Sequence, residues 1–522
     1  MKRFLLSTFW LLFLLSCSPK YDLIIRNSLI YDGTGSAPFK GEIGIRGDKI
    51  VTIKKKIRAV ARQEIDAHGM AVSPGFIDLH AHLEPLALYP DAQSHVMQGV
   101  TTALGGPDGG SPLLLNRYLD SLALHGVGMN VGYLIGHNTV RNHVMGMVDR
   151  DPTSEELTVM QKYISEALEQ GAYGMSTGLK YLPGTFAETA EIVALAKVVS
   201  KRGGIYTSHL REEGLGLLEG VEEAITIARE AQIPVILTHH KVIGEPMWGA
   251  SKQTLQMVDQ ARASGLNILM DQYPYTASHT GLSVVIPSWA LEGNPYTKFS
   301  KRCQDPTLRD SIKQGIIFNL INDRGGNDLR RIQFAKFDWK PELTGKTLYD
   351  WALAEGLEPT LENGAELIIE AQLHRGANCI YHVMDSSDVA RIMQHPFTMI
   401  ASDGRITQYG QGHPHPRAYG TFPRVLGYYT REIGILSLEE AIRKMTSLPA
   451  STLGLNDRGI LKEGAFADIT IFDPNVIRDK ATFDQPHQYP VGIFYVLING
   501  IVTVFDGQFL DQRAGYVLKK EL

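Results

Sequence analysis

Two histidines stand one residue apart in the stretch GFIDLHAHLEP, residues 75–85, directly after an apolar run that is typical of a β-strand. Side chains two positions apart share one face of a strand, so His80 and His82 point the same way. Two imidazoles that converge on one point suit a divalent metal ion. A buried histidine pair satisfied by hydrogen bonds is the alternative interpretation of this motif taken alone.

Three further strand-like runs end in side chains of the same chemistry. His209 ends YTSH, His239 follows ILT in ILTHHK, and Asp403 follows IAS in IASDG. Random placement would seldom put a ligand at the end of four separate strands, so the sequence predicts a metal site. A carboxylate at such a site can take a proton from water and pass it to a leaving amine, which makes Asp403 the candidate general base and acid. A purely structural aspartate is the other interpretation.

These side chains need strands that end at one rim. From about Ser73 to Leu453, strand-like runs alternate with helical stretches such as SEELTVMQKYISEALEQG, whose apolar residues recur at three and four positions. The eight strand-like runs are AVSPGFIDL, GVTTALG, NVGYLIG, GAYGMST, GIYTSH, PVILTH, NILMDQY and FTMIAS. Eight strand–helix units predict an α/β protein with a (β/α)8 TIM-like barrel, whose chemistry lies at the C-terminal ends of the strands.

Short β-branched runs at both ends of the chain predict a second, smaller domain. YDLIIRNSLIYDGTG near the start and GIFYVLINGIVTVFDGQF near the end alternate in polarity and contain turn dipeptides such as Asp-Gly. We expect residues 21–73 and 454–522 to form one β-sandwich together. We expect residues 74–453 to form the barrel, with an insertion at about 281–347 at its mouth.

The first residues have the pattern of a secretory signal. A basic start precedes an apolar stretch from Phe4 to Leu15, and the following LLSC resembles the bacterial lipobox, in which Cys17 becomes the lipidated first residue. We expect residues 1–17 to be a signal peptide with a lipobox. The protein would then be a periplasmic or cell-surface lipoprotein that meets the membrane only through its lipid. An ordinary cleaved signal or an uncleaved anchor is the alternative.

Composition argues against a nucleic-acid partner and against a fold held together by disulfides. The 522 residues carry 51 Lys and Arg against 56 Asp and Glu, and no basic block has interleaved aromatic residues, so we expect no nucleic-acid partner. Beyond the signal segment only Cys303 and Cys379 remain, which allows one disulfide and excludes a disulfide scaffold.

The combined pattern resembles the amidohydrolase superfamily of metal-dependent hydrolases over nearly the whole chain after the signal segment. That superfamily combines a distorted (β/α)8 barrel with a β-sandwich built from both termini. A narrower resemblance is to the N-acyl-D-amino-acid deacylases, or D-aminoacylases. It rests on GMSTGLKYLPGTFA, YTSHLREEG, LTHHKVIG, DQYPYTAS, IASDG and HPRAYGTFPRVLGYYTRE, in the expected order.

The resemblance implies Zn²⁺, one or two ions per chain. The principal ligand set would be His209, His239 and Asp108, and the second set would be His80, His82 and Asp403. Asp108 lies in GGPDGGSP, where many relatives have a cysteine in a stretch like GNCGFS. A carboxylate is acceptable to zinc and can bridge two ions. A role that only shapes the turn is the alternative for Asp108.

A substrate with a carboxylate needs a cation near the metal. Lys241 follows the strand-six histidine by two residues and therefore shares its inward face. The resemblance implies that Lys241, Tyr181 and Tyr273 line the substrate pocket. Arg417, in HPRAYG, is a candidate second cation. A bond between Arg417 and a loop carboxylate, or between Lys241 and Glu245, is the alternative.

We therefore expect the chain to hydrolyse the linear amide bond of a small-molecule N-acyl-D-amino acid, releasing a carboxylate and a free D-amino acid. A second possibility is a cyclic amidase, as in dihydroorotases and hydantoinases, which commonly use a carboxylated lysine on strand four. Here Lys180 lies late in the turn after that strand, and Asp108 offers a replacement. A third possibility is a lipoprotein that captures acylated amino acids without turnover, although a pure binder needs no proton-transferring Asp403.

Overall fold

The computed structural model describes residues 20–521, so the predicted signal peptide and lipobox lie outside the described residues. Across residues 20–521, every helix is too short or too polar to span a bilayer. Cys303 and Cys379 are free thiols, so the one disulfide that the sequence allows is not formed.

Eight parallel strands form a barrel in the middle of the chain, and the predicted fold class is confirmed. Each strand pairs with the next in chain order. Barrel strands one to eight are Phe76–Asp78, Val100–Gly105, Asn130–Tyr133 continued by Ile135–Gly136, Gly174–Gly178, Ile205–His209, Val235–Leu237, Ile268–Gln272 and Thr398–Ile400. The barrel closes beyond the ends of strands one and eight, where Ala81–His82 pairs in parallel with Gly404–Arg405.

Every residue of these eight strands is buried, as expected for parallel strands that are covered by helices outside and by side chains inside. The covering helices are Leu115–His125, His137–Met145, Ser154–Glu169, Thr189–Ser200, Leu217–Ala231, Ser251–Ala263, Leu438–Met445 and Ser447–Leu453. The helix Ser154–Glu169 begins with a capping box, in which Thr153 and Glu156 each bond to the other's backbone N–H. Short turns of 3₁₀-helix at the rim are Glu84–Ala87, Gly184–Phe186 and Glu245–Met247.

A long excursion separates barrel strands seven and eight. It contains a three-stranded antiparallel sheet formed by Ser278–Gly281, Asn378–Tyr381 and Ile332–Lys336. Its helices are Ser288–Leu291, Thr297–Cys303, Pro306–Asn322, Leu348–Ala354, Leu361–Leu373 and Ser386–Gln394. The excursion therefore continues beyond the predicted end at residue 347, because its last strand pairs with two strands that come much earlier in the chain. After strand eight, the helix Arg417–Arg424 continues into a π-helix, Val425–Glu432.

A nine-stranded sheet contains strands from both ends of the chain. Its strand order is Gln508–Phe509, Ile501–Phe505, Ile493–Ile498, Ile469–Phe472, Ala71–Pro74, Tyr21–Ile30, Phe39–Arg46 and Lys49–Lys54, with Ala61–Asp66 paired to Tyr21–Ile30. The two ends meet where Ile469–Phe472 pairs antiparallel with Ala71–Pro74, directly before barrel strand one. A separate apolar core lies within this sheet and contains residues such as Ile25, Ile43 and Ile469.

Candidate metal centre and active site

The C-terminal rim of the barrel gathers all six predicted ligands. They are His80 and His82 after strand one, Asp108 after strand two, His209 at the end of strand five, His239 after strand six and Asp403 after strand eight. Their ligand atoms form two groups, and within each group the atoms lie within 4.8 Å of one another. Asp108 belongs to both groups.

The first group contains the paired histidines. His82 Nε2 lies 3.2 Å from Asp403 Oδ1 and 3.5 Å from Asp108 Oδ2. His80 Nε2 lies 3.6 Å and 3.5 Å from the same two oxygens. Two imidazole nitrogens and two carboxylate oxygens therefore face one small volume, as the alternation of the strand predicts.

The second group uses the other oxygen of Asp108. His239 Nε2 lies 3.5 Å from Asp108 Oδ1, and His209 Nδ1 lies 3.8 Å from the same atom. The carboxylate of Asp108 thus turns one oxygen toward each group, which is the arrangement that a bridging ligand requires.

The unpaired polar atoms of this rim fit a divalent cation. Both ring nitrogens of His80 and of His209, and Oδ1 of Asp108, are buried without any hydrogen-bond partner. Buried polar atoms are rarely left unsatisfied, so a missing partner of opposite charge explains them best. Imidazole nitrogens and carboxylate oxygens are ligands that zinc accepts.

The pKa values reflect two carboxylates surrounded by imidazoles. Burial lowers the pKa of His80, but Asp108 and Asp271 outweigh it and raise that pKa to about 10. His80 and His239 hold the pKa of Asp108 well below its usual range, although burial opposes them. Burial lowers the pKa of His209 to about 3, which leaves that imidazole neutral and able to ligate a metal.

Glycines fix the turn that carries Asp108. A Cβ at Gly178 would lie 2.3 Å from the carbonyl oxygen of Asp108, and a Cβ at Gly136 would lie 2.2 Å from that of Gly109. The turn is therefore packed backbone to backbone against strands three and four, which only residues without a Cβ permit. This close packing sets the depth of Asp108 in the rim.

Three of the six ligand residues have positive φ angles: 50° at Asp108, 37° at His239 and 48° at Asp403. Residues with side chains adopt this region at a cost, and such residues cluster at functional sites. The conformation turns each side chain sharply out of its strand toward the common centre.

Carboxylates behind the histidines form a second layer that the motif argument missed. Glu84 Oε1 lies 3.1 Å from His82 Nδ1, and Asp271 Oδ2 lies 3.8 Å from His80 Nδ1. Glu213 Oε1 lies 3.2 Å from His239 Nδ1 and Oε2 lies 3.5 Å from His209 Nε2. Carboxylates in this position orient metal-binding imidazoles and make them more basic.

Asp78 connects the two strands that bring His80 and Asp403 together. Its Oδ1 accepts hydrogen bonds from the backbone N–H of Ser402 at 2.9 Å and of His80 at 3.3 Å. The carbonyl of His80 in turn accepts from the N–H of Asp403 at 2.9 Å. Asp78 thus joins strands one and eight just below the rim.

A cavity of about 830 Å³ opens above the metal centre and contains all four predicted substrate-binding residues. The Tyr181 ring centroid lies 4.5 Å from that of His209, and its hydroxyl accepts a hydrogen bond from Thr280. The guanidinium of Arg417 lies 4.8 Å from the centre of the Tyr273 ring. The structure therefore places Lys241, Tyr181, Tyr273 and Arg417 around one space.

The two cations of this cavity are paired with carboxylates of the site. Lys241 Nζ lies 2.5 Å from Glu213, whereas Glu245 pairs instead with Arg331. Arg417 Nη1 donates to Asp403 Oδ2 at 2.7 Å. The pairing that the sequence offered as an alternative for Arg417 is thus present, and its partner is the candidate proton-transfer residue.

The other histidines near the rim have local partners or lie at the mouth. His240 Nε2 bonds to Thr254, His137 Nε2 to Glu191, His413 Nε2 to the carbonyl of Phe483 and His415 Nε2 to the carbonyl of Ala277. His279 lines the cavity. Lys180 is held by Glu212 at 2.9 Å, so its amine is turned to a carboxylate outside both ligand groups.

Comparisons with known proteins identify the family of the chain. The sequence profile of the amidohydrolase family matches residues 63–300 and 353–505. The D-aminoacylase of Alcaligenes xylosoxydans xylosoxydans is 35% identical, over 97% of this chain and 99% of the relative. The chain is an amidohydrolase.

Solved structures resemble this amidohydrolase over its length. One is the N-acyl-D-glutamate deacylase of Bordetella bronchiseptica, in complex with zinc and a phosphonate that mimics the tetrahedral intermediate, with a TM-score of 0.80 and 33% identity over 96% of this chain and 100% of that one. Another is a D-aminoacylase with a binuclear metal centre, with a TM-score of 0.82 and 33% identity over the same shares.

Proposed function

We propose that this amidohydrolase is a zinc enzyme that hydrolyses the amide bond of N-acyl-D-amino acids, releasing a carboxylate and a free D-amino acid. The observation that carries the proposal is the convergence of six ligand side chains, with Asp403 and Arg417 bonded to each other at the same rim. The two solved relatives described above, a zinc-containing deacylase and a binuclear D-aminoacylase, support the choice of metal and of reaction.

The residues that would hold zinc form two sets, and each set includes one oxygen of Asp108. His209, His239 and Asp108 Oδ1 form one set, and His80, His82, Asp403 and Asp108 Oδ2 form the other. When bound there, Zn²⁺ lowers the pKa of water toward ~7 and polarises the scissile carbonyl. Glu84 bonds to the second ring nitrogen of His82 and helps to orient that imidazole, while Asp271 and Glu213 place negative charge behind the other imidazoles without a hydrogen bond to His80 or His209.

Asp403 is positioned for both proton transfers. Its Oδ1 faces the ligand group while its Oδ2 is held by Arg417. As general base, Asp403 removes a proton from the attacking water, and as general acid it delivers that proton to the departing nitrogen. An amine leaves an amide far more easily as a neutral molecule than as an anion, so the second transfer is as necessary as the first.

Arg417 and Lys241 provide positive charge for the substrate's carboxylate. Besides its bond to Asp403, Arg417 makes one long contact, from Nη2 to the carbonyl of His279 at 3.5 Å, so guanidinium donors remain for a ligand. A substrate carboxylate on Arg417 would weaken the hold of that cation on Asp403, and the carboxyl would then accept a proton more readily. Binding of the correct substrate and activation of the base are thereby linked.

A substrate panel tests the proposal. Zinc-loaded protein should hydrolyse N-acetyl-D-amino acids much faster than their L forms, and a chelator should stop the reaction. Turnover of hydantoin or dihydroorotate alone would favour the cyclic amidase. Equal turnover of both enantiomers would contradict the proposed preference for N-acyl-D-amino acids. Tight binding without any hydrolysis by fully zinc-loaded protein would favour the binding lipoprotein.

We also propose that the enzyme is a membrane-anchored lipoprotein with Cys17 as its lipidated residue. The support is the sequence of the first 17 residues, which combines a basic start, an apolar stretch and LLSC. Mass spectrometry of the mature N-terminus tests it. An unmodified terminus at another position would contradict the lipid anchor and leave the proposed reaction untouched.

A further inference from the structure

Six exposed cations in and beside the nine-stranded sheet lie near the point where the described chain begins. We call them the basic patch, and its members are Lys20, Arg46, Lys54, Lys55, Lys56 and Arg58. The molecule as a whole has a net charge of −5, so this cluster is not part of a generally basic surface.

Backbone contacts place the patch around the first described residue. The N–H of Lys20 donates to the carbonyl of Val60 at 3.2 Å, at the end of the segment that carries the lysine run. Arg46 Nη2 donates to the carbonyl of Lys20 at 2.6 Å from the other side. Residues of the basic patch therefore lie on both sides of the point where the chain enters the sheet.

The lysine run is fixed to the same strand. Ile57 packs in one apolar cluster with Tyr21 and Ile24. The guanidinium of Arg26 also donates to the carbonyls of Ile57 and Ala59, at 3.0 and 3.1 Å. The segment from 55 to 60 is thus pinned to the outer face of the first strand, and its cations cannot disperse by backbone motion.

The cations of the patch lack carboxylate partners. Among residues 20–521, no carboxylate oxygen lies within 4.0 Å of any of the six. Their neighbours differ, because Arg26 pairs with Glu64 at 2.6 Å and Arg62 with Asp22 at 3.4 Å. Like charges held together without counter-charges repel one another, and an external anionic surface would relieve that repulsion. Val60, 73% exposed at the centre of the patch, adds an apolar contact of the kind that enters an interfacial layer.

The position of the patch identifies the anionic surface. Lys20 lies three residues after Cys17, and three extended residues span roughly 10 Å, about one Debye length. We propose that the basic patch binds the anionic phospholipid headgroups of the bilayer in which the Cys17 lipid is anchored. The lipid anchor is itself part of the proposal made above, but the charge and exposure of the patch are independent of it. The interaction would add an electrostatic attraction between the folded domain and the bilayer to the hold of the lipid itself.

Vesicle binding tests the patch without the anchor. A chain that begins at Ser18 keeps every contact of the described structure, so it retains the folded protein. We expect it to sediment with vesicles of phosphatidylethanolamine and phosphatidylglycerol and not with phosphatidylcholine vesicles. We expect 1 M NaCl to release it, since the Debye length falls from about 10 Å at 0.1 M salt to about 3 Å at 1 M.

Charge-reversal variants test which lysines bind the vesicles. K54E/K55E/K56E should weaken the partition about 100-fold, because each surface cation contributes roughly fivefold. The matched control K162E/K197E/K201E makes the same charge change on the barrel helices and should reduce partition less than threefold. Hydrolysis of the substrate panel by each variant reports the proposed function separately.

Three outcomes of the vesicle experiments would overturn the inference. They are absence of binding to anionic vesicles, equal binding to neutral vesicles, and equal effects of the patch and control variants. For the full lipidated protein, lysine-reactive labelling in anionic vesicles should protect residues 54–56 relative to detergent. Unchanged labelling would contradict a patch that lies on the membrane.

Discussion

At the scale of single residues, Asp403 is the carboxylate that lies between the histidine pair and a buried arginine. One oxygen faces two imidazoles and the other is bonded to a buried arginine. Arg417 therefore keeps the pKa of Asp403 far below its usual range, although burial opposes this effect. A carboxyl group in this state is held ionised as a ligand, and it accepts a proton readily only when the hold of Arg417 is weakened.

Replacing Asp403 with Asn removes the proton carrier and keeps the shape of the side chain. We expect kcat to fall by about 10³-fold or more, in line with the contribution of general acid–base catalysis. One zinc ion should remain, because His209, His239 and Asp108 are intact. Steady-state kinetics and metal analysis of the same sample check both parts, and a variant that keeps a tenth of the activity would contradict the role.

Replacing Arg417 with Gln tests recognition of the substrate's carboxylate. We expect kcat/KM to fall about 100-fold, mainly through KM, because a buried charge-assisted pair is lost. Arg405→Gln is the matched control, since Arg405 also lines the cavity but is exposed and pairs with Glu84 at 3.0 Å. Equal effects of the two substitutions would show that only general positive charge matters.

At the scale of elements, the close packing of the second barrel turn determines the site. A methyl group at Gly178 must displace the backbone of Asp108, whereas one at Gly110 meets nothing nearer than 3.7 Å. Gly178→Ala should therefore reduce bound zinc to less than one ion per chain, and Gly110→Ala should retain the wild-type content. Metal analysis after dialysis distinguishes them, and full zinc in Gly178→Ala would refute the packing argument.

Lys444 anchors the segment that leads into barrel strand eight. Its buried amine donates to the carbonyls of His395 and of Thr398, the latter at 3.0 Å. Burial lowers its pKa to about 8, although Glu440 opposes this. The folded pKa is below the unfolded value of 10.5, so the unfolded chain binds more protons between these values and this residue's contribution to stability rises with pH in that window.

Lys444→Met should therefore lower the free energy of unfolding by about 1–3 kcal/mol at neutral pH, since two buried carbonyls lose their donor. The gap between wild type and variant should widen from pH 8 to pH 10. Thermal unfolding at pH 7, 8, 9 and 10 measures it. A gap that narrows with pH would contradict the depressed pKa.

The sequence indicated well which side chains meet at the rim and indicated poorly which carboxylates lie behind them. His80, His82, His209, His239 and Asp403 could be predicted because strand ends of a barrel meet at one rim whatever the loops do. Glu213, Glu84 and Asp271 could not, since their contacts depend on rotamers and on the path of the turns. A weak signal existed, because Glu213 follows His209 by four residues and Glu84 follows His82 by two.

The end of the long excursion also could not be predicted from the sequence, because it depends on contacts between distant residues. The predicted insertion ended at about 347, but Asn378–Tyr381 completes its small sheet by pairing with Ser278–Gly281 and Ile332–Lys336. Pairing between strands 42 or more positions apart leaves no local pattern. The alternation of strand and helix in the barrel is local, and for this reason the eight strands could be located.

At the scale of the whole molecule, metal binding should stabilise the fold as well as support the reaction. The ligands come from strands one, two, five, six and eight, so a bound ion links distant parts of the chain. Removing zinc with a chelator should lower the melting temperature by several degrees, because a ligand at 1,000 times its Kd contributes about 4 kcal/mol. Zinc should restore both stability and activity, while magnesium should restore neither. Identical melting curves with and without zinc would contradict a metal site in these residues.

The bond between Asp78 and Ser402, groups 324 positions apart, has a consequence for biosynthesis. A nascent chain holds its first histidine pair early but cannot complete the rim until more than three quarters of the polypeptide has left the ribosome. If the proposed lipoprotein is exported in an unfolded state, the parts of the centre cross the membrane separately and zinc is acquired only at the destination.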